Sequence, residues 1–183
     1  MTTVSIAWKD AREFEWLARA PKAVAKALAK AGRDAIRSAK TAGGRAVREK
    51  KRISVKHANR AIVLSFPRSK EISALVWRMD VSGAPVPVVA FPYRQTRAGV
   101  SVAINVGKRT LIRSAFEATM LSGHTGVFLR RTKKRLPIKE LFTTRVSDVF
   151  NDTGVLQSVA AKGLDAFDRT FQRVLPLELE KLR

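Results

Sequence analysis

The chain has 183 residues, a formal net charge of +21, 45% hydrophobic residues and no cysteine. That length and apolar content suit one domain with a real core, and the missing cysteines exclude disulfides and thiolate metal sites. A charge surplus this large lies outside the ordinary range for a globular domain and implies an anionic partner: nucleic acid, an acidic protein surface or a membrane face.

In chain order, Val4, Ile6 and Trp8 alternate with Ser5 and Ala7, which predicts a short strand. Residues 1–10 lack the apolar core of a secretory signal. Phe14, Trp16 and Leu17 fit a helical turn in a charged context. Pro21 suits the first turn of a helix, and the Ala-, Lys- and Arg-rich run to about Arg52 propagates it. At 100° per residue, Val24, Leu28, Ala31, Ala35, Ala42 and Ala46 share one face. Lys22, Lys26, Lys30, Arg33, Arg37 and Lys40 form a cationic stripe roughly opposite. Ile36 and Val47 share a third direction with Ala25 and Ala29, which reads as a second seam for a neighbouring subunit. Gly43-Gly44 predicts a kink or break. Ser54 is placed to cap a short helix from Val55 to about Ile62 carrying His57.

Strands follow. Ile62–Phe66 is an apolar run stopped by Pro67, and Glu71–Met79 alternates with Ile72, Ala74, Val76 and Arg78 on one parity. Val86–Phe91 lies among Pro85, Pro87 and Pro92, so it reads as an edge or loop. Val100, Val102, Ile104 and Val106 alternate with small or polar residues in the clearest strand pattern of the chain. Ala115–Leu129 reads as a hairpin about the Gly123-His124-Thr125-Gly126 turn. A basic cluster, Arg130, Arg131, Lys133, Lys134 and Arg135, follows it, and Leu136-Pro137-Ile138 is expected to return to apolar surroundings. Asn151–Gly154 offers caps for a last helix, with Leu156, Val159, Ala160, Leu164, Phe167, Phe171, Val174 and Leu175 at helical spacing. Pro176 is expected to end or kink that helix. Phe167 and Phe171 read as core first and as a subunit interface second.

Catalytic chemistry finds little in these residues. His57 and His124 lie on different elements with no carboxylate beside them in sequence, and acids are too scattered for a metal-dependent nuclease. No cofactor or metal is expected. A stripe of one sign over several turns repels itself, a cost that a polyanion or an acidic neighbour offsets. No zinc-finger, RRM or KH signature appears, so any nucleic-acid contact would be to the backbone and strongly salt-dependent. The aromatics are assigned to packing.

From Ile112 to Ile138 the order Ala115-Phe116, a glycine turn, Val127-Phe128-x-Arg130, a basic run and Pro137-Ile138 resembles the minor tail protein Z family of lambda-like phages and prophages. Where that family has Pro-Gly before the Ala-Phe, this chain has Arg113-Ser114. The resemblance implies a structural virion protein that completes the tail at its head-proximal end, for head–tail joining and genome passage. It implies a homo-oligomeric ring, six copies by the family's tail symmetry, between other tail and neck proteins such as the terminator and connector. DNA would pass through the channel, no membrane would be contacted, and assembly would take place in the host cytoplasm. The basic helix and the Arg130–Arg135 cluster would face DNA or an acidic ring; Ile36, Val47, Phe167 and Phe171 would meet neighbouring copies.

The fold expected is one α+β domain over 1–183. A helical basic arm (1–60) would precede a mainly β part (61–146) with one antiparallel sheet of four to five strands, and a C-terminal helical part (147–183) would pack on that sheet. The rival function is a non-sequence-specific nucleic-acid-binding protein of the host or prophage, needing no ring.

Overall fold

A computed structural model describes residues 2–7, 21–67, 75–130, 132 and 134–181. The chain is α+β, and its contacts divide it into two compact units. One gathers 1–43, 62–81 and 151–183; the other gathers 44–61 and 82–150. The units therefore cut across the three sequence segments, because the first strands fold with both long helices.

In the first unit, β1 (Thr2–Ala7) and β2 (Ile62–Ser65) flank β3 (Val76–Val81), both antiparallel to it. Ile6 pairs with Trp77 and Leu64 with Met79. Trp77, Met79 and Val81 are buried and Val76 and Arg78 are exposed, so the core side of β3 is the parity opposite Val76. Residues 68–74, including most of the predicted strand's first half, lie outside the described residues, as do Trp8, Phe14, Trp16 and Leu17.

Helix α1 (Pro21–Lys50) starts at its proline as predicted and runs without a break through Gly43-Gly44. It contributes residues up to Gly43 to this unit and its last turns to the other. Val24, Leu28, Ala31 and Ala35 are buried, as their shared face predicts, while Ala42 and Ala46 are half-buried.

Helix α4 (Thr153–Glu180) is capped by Asp152, whose carboxylate accepts from the Gly154 N–H at 2.9 Å. Three side-chain contacts fix its direction. Ser38 Oγ donates to the Lys162 carbonyl at 3.1 Å, Thr170 Oγ1 to Asp34 at 3.2 Å, and Lys26 Nζ lies 3.8 Å from Glu178. The α4 number rises as the α1 number falls, so the two helices run antiparallel. Val159, Phe167 and Val174 are buried, but Leu164 is 52% exposed despite its helical spacing. Pro176 does not end the helix, which continues to Glu180. The carbonyl that Pro176 would leave unpaired belongs to Gln172, an exposed residue, so water can satisfy it.

The second unit holds the last turns of α1, α2 (Val55–Ala61) and three small sheets, closed by α3 (Ser147–Phe150). The expected single sheet of four to five strands is not formed; among the described residues the strands fall into four small antiparallel sheets. Proline accounts for part of this. β4 (Pro85–Pro87) has a proline at each end and pairs only with β11 (Phe142–Arg145), and a 3₁₀ turn (Val88–Ala90) follows it. β5 (Tyr93–Thr96), β6 (Gly99–Val102) and β7 (Thr110–Arg113) form the next sheet. The alternation Val100 to Val106 outlasts its strand because residues after Val102 turn to other partners. Ala103 N–H donates to the Pro92 carbonyl, Arg52 N–H donates to the Ile104 carbonyl, and Asn105 bridges Lys51.

The stretch that carries the family resemblance begins at the end of β7 and then enters a separate sheet in which β9 (Thr125–Arg130) lies between β8 (Ala115–Thr119) and β10 (Ile138–Glu140). The Gly123 φ of 78° closes the hairpin, a conformation open to glycine at no steric cost. Ser114, the one residue between β7 and β8, has φ 59°. Leu136 is 65% exposed, so the basic loop does not return to apolar surroundings until Ile138 enters β10.

Candidate polyanion-binding surfaces

The α1 stripe keeps its sign because of where its neighbours point. Lys22, Lys26, Lys30, Arg33 and Arg37 are exposed and Lys40 is half-buried. Asp34, one turn after Lys30, is half-buried and accepts from the Thr170 hydroxyl, so that carboxylate is directed toward α4. Glu178 of α4 partly compensates the start of the stripe. Its carboxyl is held below its ordinary value, chiefly by a hydrogen bond from Lys181 at 2.7 Å, then by Lys26 and Lys30, against the opposing effect of burial. The Arg33 guanidinium lies 6.0 Å from the Phe66 ring centre. Lys22, Lys30 and Arg37 have no side-chain hydrogen bond or ion pair among the described residues. No acidic residue lies in the first turn of α1, so the positive end of the helix dipole adds to these charges.

The cluster after the hairpin is a separate feature in the second unit. Arg130 is exposed, and its guanidinium lies 4.4 Å from the Phe116 ring centre. Phe116 in turn contacts Phe128 at 6.2 Å between ring centres. A stacked guanidinium keeps its N–H edge for an anion while losing much of its side-chain freedom. Lys134 and Arg135 are exposed; Arg131 and Lys133 lie outside the described residues.

Three of the four residues expected at a subunit interface are corrected. Ile36, Val47 and Phe167 are 0%, 1% and 6% exposed, so they are filled into the chain's own core. The seam shared by Ile36 and Val47 is apolar because each packs inside, and neither presents surface to another copy. Phe171 is half-buried and stacks on Phe167 at 5.8 Å.

Both histidines have partners that sequence spacing does not reveal. His57 Nδ1 shares a hydrogen bond with Ser54 Oγ at 2.7 Å at the start of α2, so the serine hydroxyl meets the imidazole rather than a backbone N–H. Antiparallel pairing of β9 with β10 brings Glu140 Oε1 to 3.0 Å from His124 Nε2. This is one carboxylate beside one exposed imidazole; among the described residues no three His, Cys, Asp or Glu side chains group as metal ligands.

A further basic feature escapes periodicity altogether. Arg48, Lys51 and Arg52 border a cleft of about 480 Å³ at the end of α1. The adjacency of 48, 51 and 52 is readable, but most of the apolar floor, Val89 to Pro92 and Val106, comes from far later in the chain. Among the described residues no helix is long and apolar enough to cross a membrane. Comparison with protein-family models, curated proteins and solved structures found no match to this chain.

Proposed function

We propose that this chain is a structural protein of a phage tail, acting in tail completion at the head-proximal end, with the α1 stripe facing DNA or an acidic ring. The observation that carries the anionic contact is the exposed, single-sign stripe, whose nearby acid Asp34 is directed toward Thr170. Such a surface repels itself until an anion covers it. The tail assignment rests on the resemblance from Ile112 to Ile138. Two details support it. Strands β8, β9 and β10, from Ala115 onward, form one three-stranded sheet, and Ser114 adopts the left-handed conformation that favours glycine at the position where the family has Pro-Gly. Copies would assemble into a ring with other tail proteins, and the chain would act without catalysis or cofactor.

The same stripe favours a second reading, a sequence-independent nucleic-acid-binding protein. Quantitative mass spectrometry of gradient-purified particles from the host culture separates the two. A fixed low copy number relative to the major tail protein is expected for a tail component. Absence from particles, with abundant protein in the lysate and steeply salt-dependent DNA binding by the isolated chain, would replace the tail reading with the second one.

A further inference from the structure

We infer that the cleft at the end of α1 is a docking site for an acidic linear peptide of a partner protein that carries an aliphatic anchor. The inference does not depend on the tail assignment. The cleft combines three cations, Arg48, Lys51 and Arg52, with an apolar lining that includes Pro92 and Val106, and no carboxylate lines it. Val106 is 57% exposed and Pro92 is exposed, so aliphatic surface is open to a ligand beside the charges.

The cations are not consumed internally. Lys51 Nζ donates to the neutral Asn105 Oδ1 at 2.8 Å, and Arg48 uses only Nε, to the Gly44 carbonyl at 3.2 Å. The Arg52 guanidinium has no partner among the described residues, while its backbone N–H is fixed to the Ile104 carbonyl at 2.8 Å. Arg48 belongs to the last turn of α1, where the helix dipole accounts for a cation. Arg52 lies beyond the helix end and needs another reason.

The chemistry of the lining selects the occupant. Its one aromatic residue, Phe91, is 3% exposed and offers no face on which a nucleobase could stack. Four backbone donors along the wall are used: Lys51 N–H goes to the Val47 carbonyl, Arg52 N–H to Ile104, Ser54 N–H to Ala90 and Phe91 N–H to Val88. Recognition therefore runs through side chains, carboxylates to the guanidinium groups and an aliphatic group against Val106 and Pro92. The volume is that of a small-ligand or short-peptide site.

The test uses the full chain and a fluorescent synthetic peptide of interleaved glutamate and leucine, read by anisotropy. The comparison probes are the same peptide with serine for leucine and an oligothymidylate of equal charge. The leucine peptide should bind, and Arg52→Gln and Arg48→Gln should each weaken it about tenfold. Val106→Asp should abolish binding, whereas Lys162→Gln/Arg173→Gln, exposed on α4 and outside every basic surface described above, should leave it unchanged. All these positions are exposed, and circular dichroism verifies that each variant folds. Equal binding of the serine peptide would overturn the anchor, and oligothymidylate binding that Arg52→Gln and Val106→Asp weaken would reassign the cleft to nucleic acid. Indifference to both Arg52→Gln and Val106→Asp would overturn the site.

Discussion

Gly32 lies so close to the Trp77 indole that a Cβ built on it would fall 2.2 Å from Cε2 and 2.4 Å from Cζ2. Trp77 is buried at the centre of the three-stranded sheet, and α1 reaches it only because position 32 has no side chain. Gly32→Ala gains helix propensity of about 1 kcal/mol but forces a buried ring to move, so a net loss of about 1–3 kcal/mol is expected in urea unfolding. Gly44→Ala in the same helix is the control. Its added Cβ would meet Asn59 Oδ1 at 3.5 Å, an ordinary contact, and stability should rise by up to about 1 kcal/mol. Equal effects of the two changes would refute the Gly32–Trp77 contact.

Ile36→Ala distinguishes core from interface. Full burial within the chain predicts a loss of about 2–5 kcal/mol, measured by chemical denaturation, with no dependence on protein concentration. An interface residue would instead shift the oligomeric state in sedimentation while leaving monomer stability nearly unchanged.

Tyr93 is the chain's single tyrosine, so phenolate absorbance reports it alone. Its hydroxyl donates to Glu117 Oε1 at 2.5 Å, and this bond, with burial and the carboxylate charge, pushes its pKa up to about 12. A raised phenol pKa means the folded state holds its proton more tightly than the unfolded chain. The associated stability is full below pH about 10 and is lost as pH rises toward about 12. Absorbance titration should give a native midpoint near 12, and Glu117→Ala should return it toward 10.0. An unchanged midpoint in the variant would show that the bond does not form.

The stripe variant Lys26→Gln/Lys30→Gln/Arg33→Gln/Arg37→Gln should fold. The Lys26–Glu178 pair at 3.8 Å is exposed on the lysine side, and the Arg33–Phe66 contact at 6.0 Å is also peripheral. Surface pairs of these kinds contribute on the order of 1 kcal/mol or less each. A thermal midpoint within a few degrees of the parent is therefore expected. Retention on a heparin column should fall sharply. Collapse of the midpoint would mean these side chains support the core.

Ser114→Gly should stabilise the chain by roughly 0.5–1 kcal/mol, because a serine at φ 59° bears a steric cost that glycine avoids, offset partly by unfolded-state entropy. A loss of stability on urea titration would show that the serine side chain contributes a compensating contact.

Long periodic segments were the legible part of this fold. The thirty residues of α1 and twenty-eight of α4 repeat their apolar positions often enough to fix most of the phase, but not the extent, since α1 continues through Gly43-Gly44 and α4 continues past Pro176. The β8–β9 hairpin was readable from its glycine turn. Short polar strands were not: Tyr93-Arg94-Gln95-Thr96 and Thr110-Leu111-Ile112-Arg113 bury almost nothing, so they leave no alternation. Their order comes from pairing on either side of β6 and from links such as Glu117 N–H to Gln95 Oε1 at 3.0 Å. At the candidate sites the stripe was legible from spacing alone. The Glu140 beside His124 and the cleft beside Arg52 were not, since both depend on residues brought together by tertiary pairing.

Pro176 divides α4 in time. One rung of the backbone ladder is missing at Gln172, and beyond it a single turn carries Glu178 to Lys181 and to Lys26 at the start of α1. In hydrogen exchange the amides of residues 177–180 should trade with solvent early, while those around Val159 and Phe167 keep the protection of the buried segment.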